Sequence, residues 1–457
     1  MVRLKRVGIV VVCLMFLSSI GLAKDSDDIT SFVEKALKYN EFLKSMYYNK
    51  EVAKEEAKAI KGSLFPKLSF EEEFTRSDYP ASVWMAKMAR GDVTPGMMNL
   101  KGFNNPDRTS LFRSSFILRY PVFYGFQMVS AIKAKEIEAE AIEELFKLTK
   151  EDIALKTIKA YLDVCYAKSK IEASRKDVES AEKHVSLAES RYKRGIALLA
   201  DVLKAKVYLA GARDRLAQAT TYYEVSLSKL SMLTGGDPAS KMEVNCTIEK
   251  LYENLKSYSF VDINSLISKG LTNRKDIAIA QKEVEIANQK LREAKSDYFP
   301  KLDLYASYDW YGANYPLQSD SSSSTVGVIM RFNIFDGFSR ERKVKASELA
   351  ILRSKEALTS KQKEAQTEII ANALKIKESV ERINLAESSV KEAEETLRTM
   401  ELRYKEGLAN ITELTDSQAY LYNARSNLIG AYYDYVFSVY STEFSTGTLL
   451  NFLGINN

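Results

Sequence analysis

The 457-residue chain has one histidine, three cysteines and eight prolines. With His184 alone, no histidine-based metal or catalytic cluster can form within one chain, and His184 reads as a solvated helix residue. Cys13 falls in the N-terminal leader described below, and Cys165 and Cys246 are too few for a disulfide framework. No cysteine stands just after the expected cleavage site for lipid attachment. A nucleotide loop and a nucleophile constellation are also missing, which argues against an enzyme and implies no cofactor. Past residue 23 no apolar run approaches the roughly 20 residues of a membrane helix, so a mature chain that crosses a membrane does so as a β-barrel. The formal charge of +5 includes Arg3, Lys5 and Arg6 of the leader, too weak a basic bias for a nucleic-acid partner.

What is present is 46% hydrophobic and 28% charged, a composition that folds around an extensive core. Residues 1–23 combine that basic start, an apolar run from Val7 to Leu17 and a small-residue site at Gly21-Leu22-Ala23, which predicts a secretory signal. The remainder is a tandem duplication. Arg191-Tyr192-Lys193-Arg194-Gly195 returns 212 residues later as Arg403-Tyr404-Lys405-Glu406-Gly407. The same shift carries Leu209, Ala212, Arg213, Leu216, Tyr223, Thr234 and Gly235 onto Leu421, Ala424, Arg425, Leu428, Tyr435, Thr446 and Gly447. About a third of positions around this segment agree.

The first repeat, 24–235, opens with a helical pattern from Ile29 to Gly62 that Pro66 ends. Alternation at Leu68, Phe70, Glu72 and Phe74 gives a strand at about 67–76, and a second strand follows at about 110–120. The Pro- and Gly-bearing stretch from Asp78 to Arg108 reads as a long loop. Residues 126–192 contain neither proline nor glycine and predict one helix about 100 Å long. Its heptad seam through Ala181, Ala188 and Tyr192 resumes after Gly195 as Val202, Ala205 and Leu209 in a helix at 199–234. Two such seams predict an antiparallel coiled-coil hairpin.

An irregular connector at 236–262 leads into the second repeat, 263–447. There a helix from Ile263 to Tyr298 ends at Phe299-Pro300-Lys301-Leu302, matching Phe65-Pro66-Lys67-Leu68. Strands are expected at about 301–311 and 325–335, then a long helix at 338–404, a turn at Gly407, a helix at 411–446 and a tail at 448–457. Alternation assigns Glu71, Glu73, Arg113, Arg119, Asp303, Asp309 and Arg331 to the water-lined face of a barrel. Four strands leave open edges, so closure demands other copies. Glu413 and Asp416 share a helix face; Glu413 also suits a capping box with Asn410. Tyr404 ends a heptad seam, where plain packing is a competing role.

The paired Phe-Pro-Lys-Leu sites, the Arg-Tyr-Lys-x-Gly turns and the Ala-Arg pairs at 212–213 and 424–425 resemble the TolC-like outer-membrane factors, the exit ducts of efflux and type I secretion systems. The resemblance spans Ala36 to Gly447 and implies a mainly α fold with a transmembrane β portion. It implies a homotrimer with a trimeric α-helical barrel in the periplasm, an equatorial belt, and one 12-stranded β-barrel in outer-membrane lipid. The expected partners are a periplasmic adaptor and an inner-membrane pump of RND, ABC or MFS type. Gly195 and Gly407, with Arg191, Tyr192 and Arg403, would lie at the periplasmic tip that meets the adaptor. Glu413 and Asp416 would form the selectivity rings, and Tyr404 with Asp201 the closed-state latch. An arginine normally two residues after the second turn glycine is replaced here by Ala409. A coiled-coil scaffold of the cell envelope is the alternative reading.

Overall fold

The computed structural model describes residues 28–97, 104–240, 242–258 and 262–455, and the expected signal at 1–23 lies outside them. The first repeat runs α1 (Ile29–Tyr39), α2 (Glu41–Lys61), β1 (Lys67–Ser77), α3 (Pro80–Arg90), β2 (Thr109–Phe123), α4 (Gln127–Lys193) and α5 (Leu199–Leu233). The connector carries α6 (Ile248–Leu255). The second repeat runs α7 (Ile263–Asn273), α8 (Lys275–Lys295), β3 (Lys301–Gly312), β4 (Ser321–Arg331), α9 (Ser339–Glu406) and α10 (Ile411–Ser445), followed by α11 (Leu449–Phe452).

Each 67- or 68-residue helix packs along its own return helix, α4 on α5 and α9 on α10. The seam alanines Ala181, Ala188, Ala205 and Ala212 are buried, which lets the two backbones approach closely. One large core gathers α1, α6 and α11 onto α4, α5 and α10, and includes Phe32, Ile158, Leu162, Leu230, Val436 and Leu449. A smaller one near the turns holds Ala188, Val202, Tyr404, Leu414 and Leu421.

Several expectations change. The first helix of each repeat breaks in two, at Asn40 and at Arg274, residues that correspond under a 234-residue shift. The reason is a shared junction. The Asn40 amide donates to the carbonyl of Leu233 (3.0 Å), and Arg274 donates to that of Ser445 (3.1 Å), so each break satisfies a terminal carbonyl of a return helix. Gly235 (φ +75°) and Gly447 (φ +69°) then fold tightly over the break. A Cβ at Gly235 would stand 2.7 Å from the Tyr39 carbonyl oxygen, and one at Gly447 would stand 3.0 Å from that of Asn273. The stretch between β1 and β2 contains α3, with Pro80 in its first turn and Gly91 left-handed at its end. The strand expected at 325–335 starts four residues earlier, because Ser321 to Arg331 pair with Tyr311 to Lys301. The two cysteines do pair: a Cys165–Cys246 disulfide ties the connector to α4.

The sheet is antiparallel in the order β1-β2-β3-β4, with neither edge paired among the described residues. Its register separates two faces. Phe70, Phe116 and Tyr308 align across one, with Leu68, Leu118, Ala306 and Val326 beside them. Most of these side chains are exposed, Val326 at 77%. The other face aligns Glu73, Arg113 and Tyr311, and next to them Glu71, Ser115, Asp309 and Ser323. Asp309 accepts there from Arg113 (2.9 Å) and Ser307 (2.8 Å). Arg331 pairs with Asp303 at 3.1 Å, while Glu71, Glu73 and Arg119 are exposed.

Gly235→Ala is expected to lower the midpoint of thermal unfolding more than Gly195→Ala, whose φ is also +75° but whose added methyl meets nothing within 4 Å. Both carry the left-handed penalty of roughly 1–2 kcal/mol, and only Gly235 adds about 1–3 kcal/mol of overpacking against backbone. Equal shifts would refute the junction as the source.

Candidate functional site: the paired hairpin turns

Both turns close by the same geometry. The Gly195 and Ile196 amides donate to the carbonyls of Tyr192 and Arg191 at 2.9 and 3.0 Å, and those of Gly407 and Leu408 to Tyr404 and Arg403 at 3.2 and 2.8 Å. Positive φ at each glycine permits this 6→1, 5→2 ending of the long helix. The return helices also start alike. The Asp201 carboxylate accepts from the Leu198 amide (3.1 Å), and that of Glu413 accepts from the Asn410 amide (3.0 Å). Asn410 reciprocates through its side chain, so the expected capping box is formed.

The copies diverge in what their arginines do. Arg403 is exposed, whereas Arg191 is buried and crosses to the other hairpin. Its guanidinium donates to the carbonyls of Tyr404 and Lys405, the latter at 3.0 Å, and lies 4.9 Å from the centre of the Tyr404 ring. A cation thus caps the negative end of α9. Tyr404 is buried, its hydroxyl has no hydrogen-bond partner among the described residues, and Asp201 is bonded to Leu198 rather than to it. Burial raises the Tyr404 hydroxyl above its ordinary range, which Arg191 opposes and Asp201 reinforces. Tyr192, the counterpart of Tyr404, is exposed. Glu413 and Asp416 project together from the exposed face of α10, with no cation in ion-pair range among the described residues. The first-copy counterpart of Asp416 is Lys204, which donates to Thr412 (3.0 Å), so the acidic pair belongs to the second turn alone.

Farther from the turns the hairpins are joined by a buried carboxylate. Asp177 accepts from the Tyr208 hydroxyl (2.8 Å), the Gln418 amide (3.0 Å) and Arg215 (2.7 Å). Arg215 also stacks over the rings of Tyr208 and Tyr422 at 5.4 and 4.7 Å. His184 lies nearby, buried at 4% exposure rather than solvated, because the α9–α10 hairpin packs over it. Burial depresses its imidazole pKa against the pull of Glu401, whose carboxylate is 3.9 Å away, and of Asp177. The paired Ala-Arg marks acquire a role within each hairpin: Arg213 binds Glu182 (2.8 Å) and Arg425 binds Glu394 (2.7 Å), the same contact twice.

Sequence reasoning missed Asp177, Arg215 and Gln418. The duplication held the signal, since the counterparts of Asp177 and Arg215 are Ser389 and Asn427, and both members of the ion pair vanish together.

In chemical denaturation, Asp177→Ser is expected to cost about 2–3 kcal/mol by stranding Arg215 and Tyr208. Adding Arg215→Asn should cost less than the sum of the singles, with a coupling above about 1 kcal/mol; strict additivity would dissolve the pair. His184 supplies a pH dependence of definite sign. Its folded state favours the neutral ring, so this contribution is complete above the ordinary value of 6.5 and is lost as pH falls below it. Facing groups are Glu401 on α9, Gln418 on α10, and Asp177 and Lys183 on α4. His184→Gln should flatten the stability profile between pH 7 and about 5, and an unaltered slope would count against the assignment.

Comparison with known proteins gives the same architecture. The profile described as outer membrane efflux protein matches residues 32–236 and 266–447. Outer membrane protein TolC of Escherichia coli (strain K12) is 21% identical over 455 residues, covering 96% of this chain and 87% of that protein. Alkaline protease secretion protein AprF of Pseudomonas aeruginosa is 20% identical, over 74% of this chain and 69% of that one. The crystal structure of the Campylobacter jejuni CmeC outer membrane channel superposes with a TM-score of 0.78 at 17% identity, covering 92% of this chain and 86% of that one. With duplicated hairpins, a two-faced sheet and a profile match across both repeats, the chain belongs to the outer membrane efflux protein family and is an outer-membrane protein.

Proposed function

We propose that three copies of this chain form a passive, gated exit duct for a tripartite efflux pump or a type I secretion system. The observation that carries the reading is the open four-stranded sheet. Its apolar face is exposed, its opposite face is charged, and both edges are unpaired. Twelve pooled strands close those edges into one barrel whose polar lining, including Arg113, Asp309 and Asp303, faces water. Strand lengths of 11 to 15 residues suit a bilayer crossing. The helices continue the wall into the periplasm, and α6 with its disulfide-anchored connector belongs to an equatorial belt. The turns at Gly195 and Gly407 meet a periplasmic adaptor, which links the duct to an inner-membrane pump. An envelope scaffold would have no use for an exposed apolar sheet face.

In this duct α9 and α10 form the moving hairpin. The resting state is held by Arg191 on the α9 terminus, by Lys204 on Thr412 and by the Asp177 cluster, with Tyr404 and Asp201 adjoining. Opening separates these contacts while each hairpin keeps its own Arg–Glu pair. Glu413 and Asp416 from three chains place six carboxylates around the axis and favour cations.

Planar-bilayer recordings test both parts. Glu413→Gln with Asp416→Asn keeps the capping geometry and should reduce cation preference several-fold; unchanged selectivity removes the ring assignment. Arg191→Ala should raise resting conductance, and a resting conductance equal to that of the unaltered protein removes Arg191 from the gate.

A further inference from the structure

A cavity of about 580 Å³ lies where α4 leaves the sheet and α8 returns to it. Phe126, Val129 and Phe299 form its apolar side, all of them exposed in one chain. Lys133, Arg292 and Lys295 form its charged side. Lys133 and Lys61 both engage Glu136, at 3.4 and 2.9 Å, whereas Arg292 and Lys295 make no ion pair among the described residues. The cavity is therefore apolar on one side and carries uncompensated positive charge on the other.

Its orientation follows from the strand register. Phe123 pairs with Leu302, which stands in the apolar row with Met330. The Phe123 ring meets Phe126 at 5.8 Å and Phe299 at 6.4 Å, both edge to face. The apolar wall thus continues the lipid-facing side of the sheet. Arg292 and Lys295 occupy the last turn of α8, about 9–14 Å of helix before the strand, from where their long side chains can reach the headgroup layer.

The duplication supplies an independent observation. The 212-residue shift carries Phe123, Phe126 and Lys133 onto Phe335, Phe338 and Lys345, and the 234-residue shift carries Arg292, Lys295 and Phe299 back onto Lys58, Lys61 and Phe65. Aromatic and cationic character is kept at all six positions, in repeats that agree at only about a third of positions near the turns. The Phe335–Phe338 contact, edge to face at 5.5 Å, reproduces that of Phe123 and Phe126. Val129 departs, becoming Glu341. These two half-sites lie at the start of α9 and the end of α2, the edges that a neighbouring copy would join.

We propose that the cavity between α4 and α8 binds an anionic diacyl phospholipid of the periplasm-facing leaflet. Arg292 and Lys295 hold its phosphodiester, and an acyl chain runs over Phe126 and Phe299 onto the apolar sheet face. The inference rests on the duct reading for the sheet's membrane placement and is independent of the gate. Native mass spectrometry of the detergent-purified full chain, incubated with equal amounts of dioleoylphosphatidylglycerol and dioleoylphosphatidylcholine, tests it. The anionic lipid should be retained about tenfold more, a difference of about 1.4 kcal/mol, and R292Q/K295Q should abolish that preference. Equal retention of the two lipids, or an undiminished preference in the variant, overturns the proposal. So does displacement by millimolar inorganic phosphate, which would mark a site for a free anion. Single-channel conductance of the variant in phosphatidylcholine bilayers should match the unaltered protein, showing that it folds and inserts. Absence of conductance from the otherwise unaltered protein even with the gate released by Arg191→Ala would sink the duct reading instead.

Discussion

A peptide group in hydrocarbon has only other peptide groups to bond with, and a strand edge left open there strands a row of donors and acceptors. This chain presents two such edges, β1 and β4, flanking a sheet too narrow to curl on itself. In the proposed duct closure comes from further copies, and the rest of the molecule is arranged to permit it. Each repeat sends a helix up to the sheet and a longer one away from it, so strand spacing and wall spacing are set by the same duplicated unit. The junctions at Asn40 and Arg274 keep that unit in register. They place a short helix end against the last carbonyl of a return helix, so two shorter helices stack to the height of one long helix.

Duplicated walls are stable because equivalent residues make equivalent contacts; a gate requires that some of them do not. Arg213 with Glu182 and Arg425 with Glu394 are equivalent, and they hold each hairpin to itself. Arg191 and Arg403 are not. The first reaches across to the end of α9 and is buried there, while the second stays at the surface. Asp177 and Arg215 have no charged counterparts at all. Symmetry therefore holds within hairpins and fails between them, which is where relative motion of the two would occur.

This division also explains what the sequence disclosed. Helix length was legible because 67 residues without proline or glycine leave few alternatives, and the seam alanines marked which faces touch. The β4 boundary was not, since Ser321 to Ser324 carry no apolar alternation and are strand only because β3 lies opposite. The fate of His184 depended on a partner hairpin more than 200 residues away, and the Cys165–Cys246 bond on the connector's path. At the turns, Glu413 and Asp416 were found as neighbours on one helix face, a local property. Arg191 was placed at the turn, but its grip on α9 is a tertiary fact that the repeated motif itself conceals, because the identical motif at Arg403 does nothing comparable.

The absence of an arginine at position 409 takes on a different meaning in this light. Ala409 packs, partly buried, against the cluster of Tyr404, Ile411 and Leu414. The cation that bonds the last carbonyls of α9 is Arg191 on the opposite hairpin, while Arg403 and Lys405 of α9's own last turn stay at the surface. In the proposed gate a cation on the moving hairpin would travel with it and hold through whatever it met at its destination. One on the stationary hairpin holds only while α9 remains docked, and its bonds to two backbone carbonyls are insensitive to side-chain titration on the moving element. In the proposed gate the closed state is then held by geometry at the helix end, with the Asp177 cluster as the second, charge-dependent point of attachment farther from the turns.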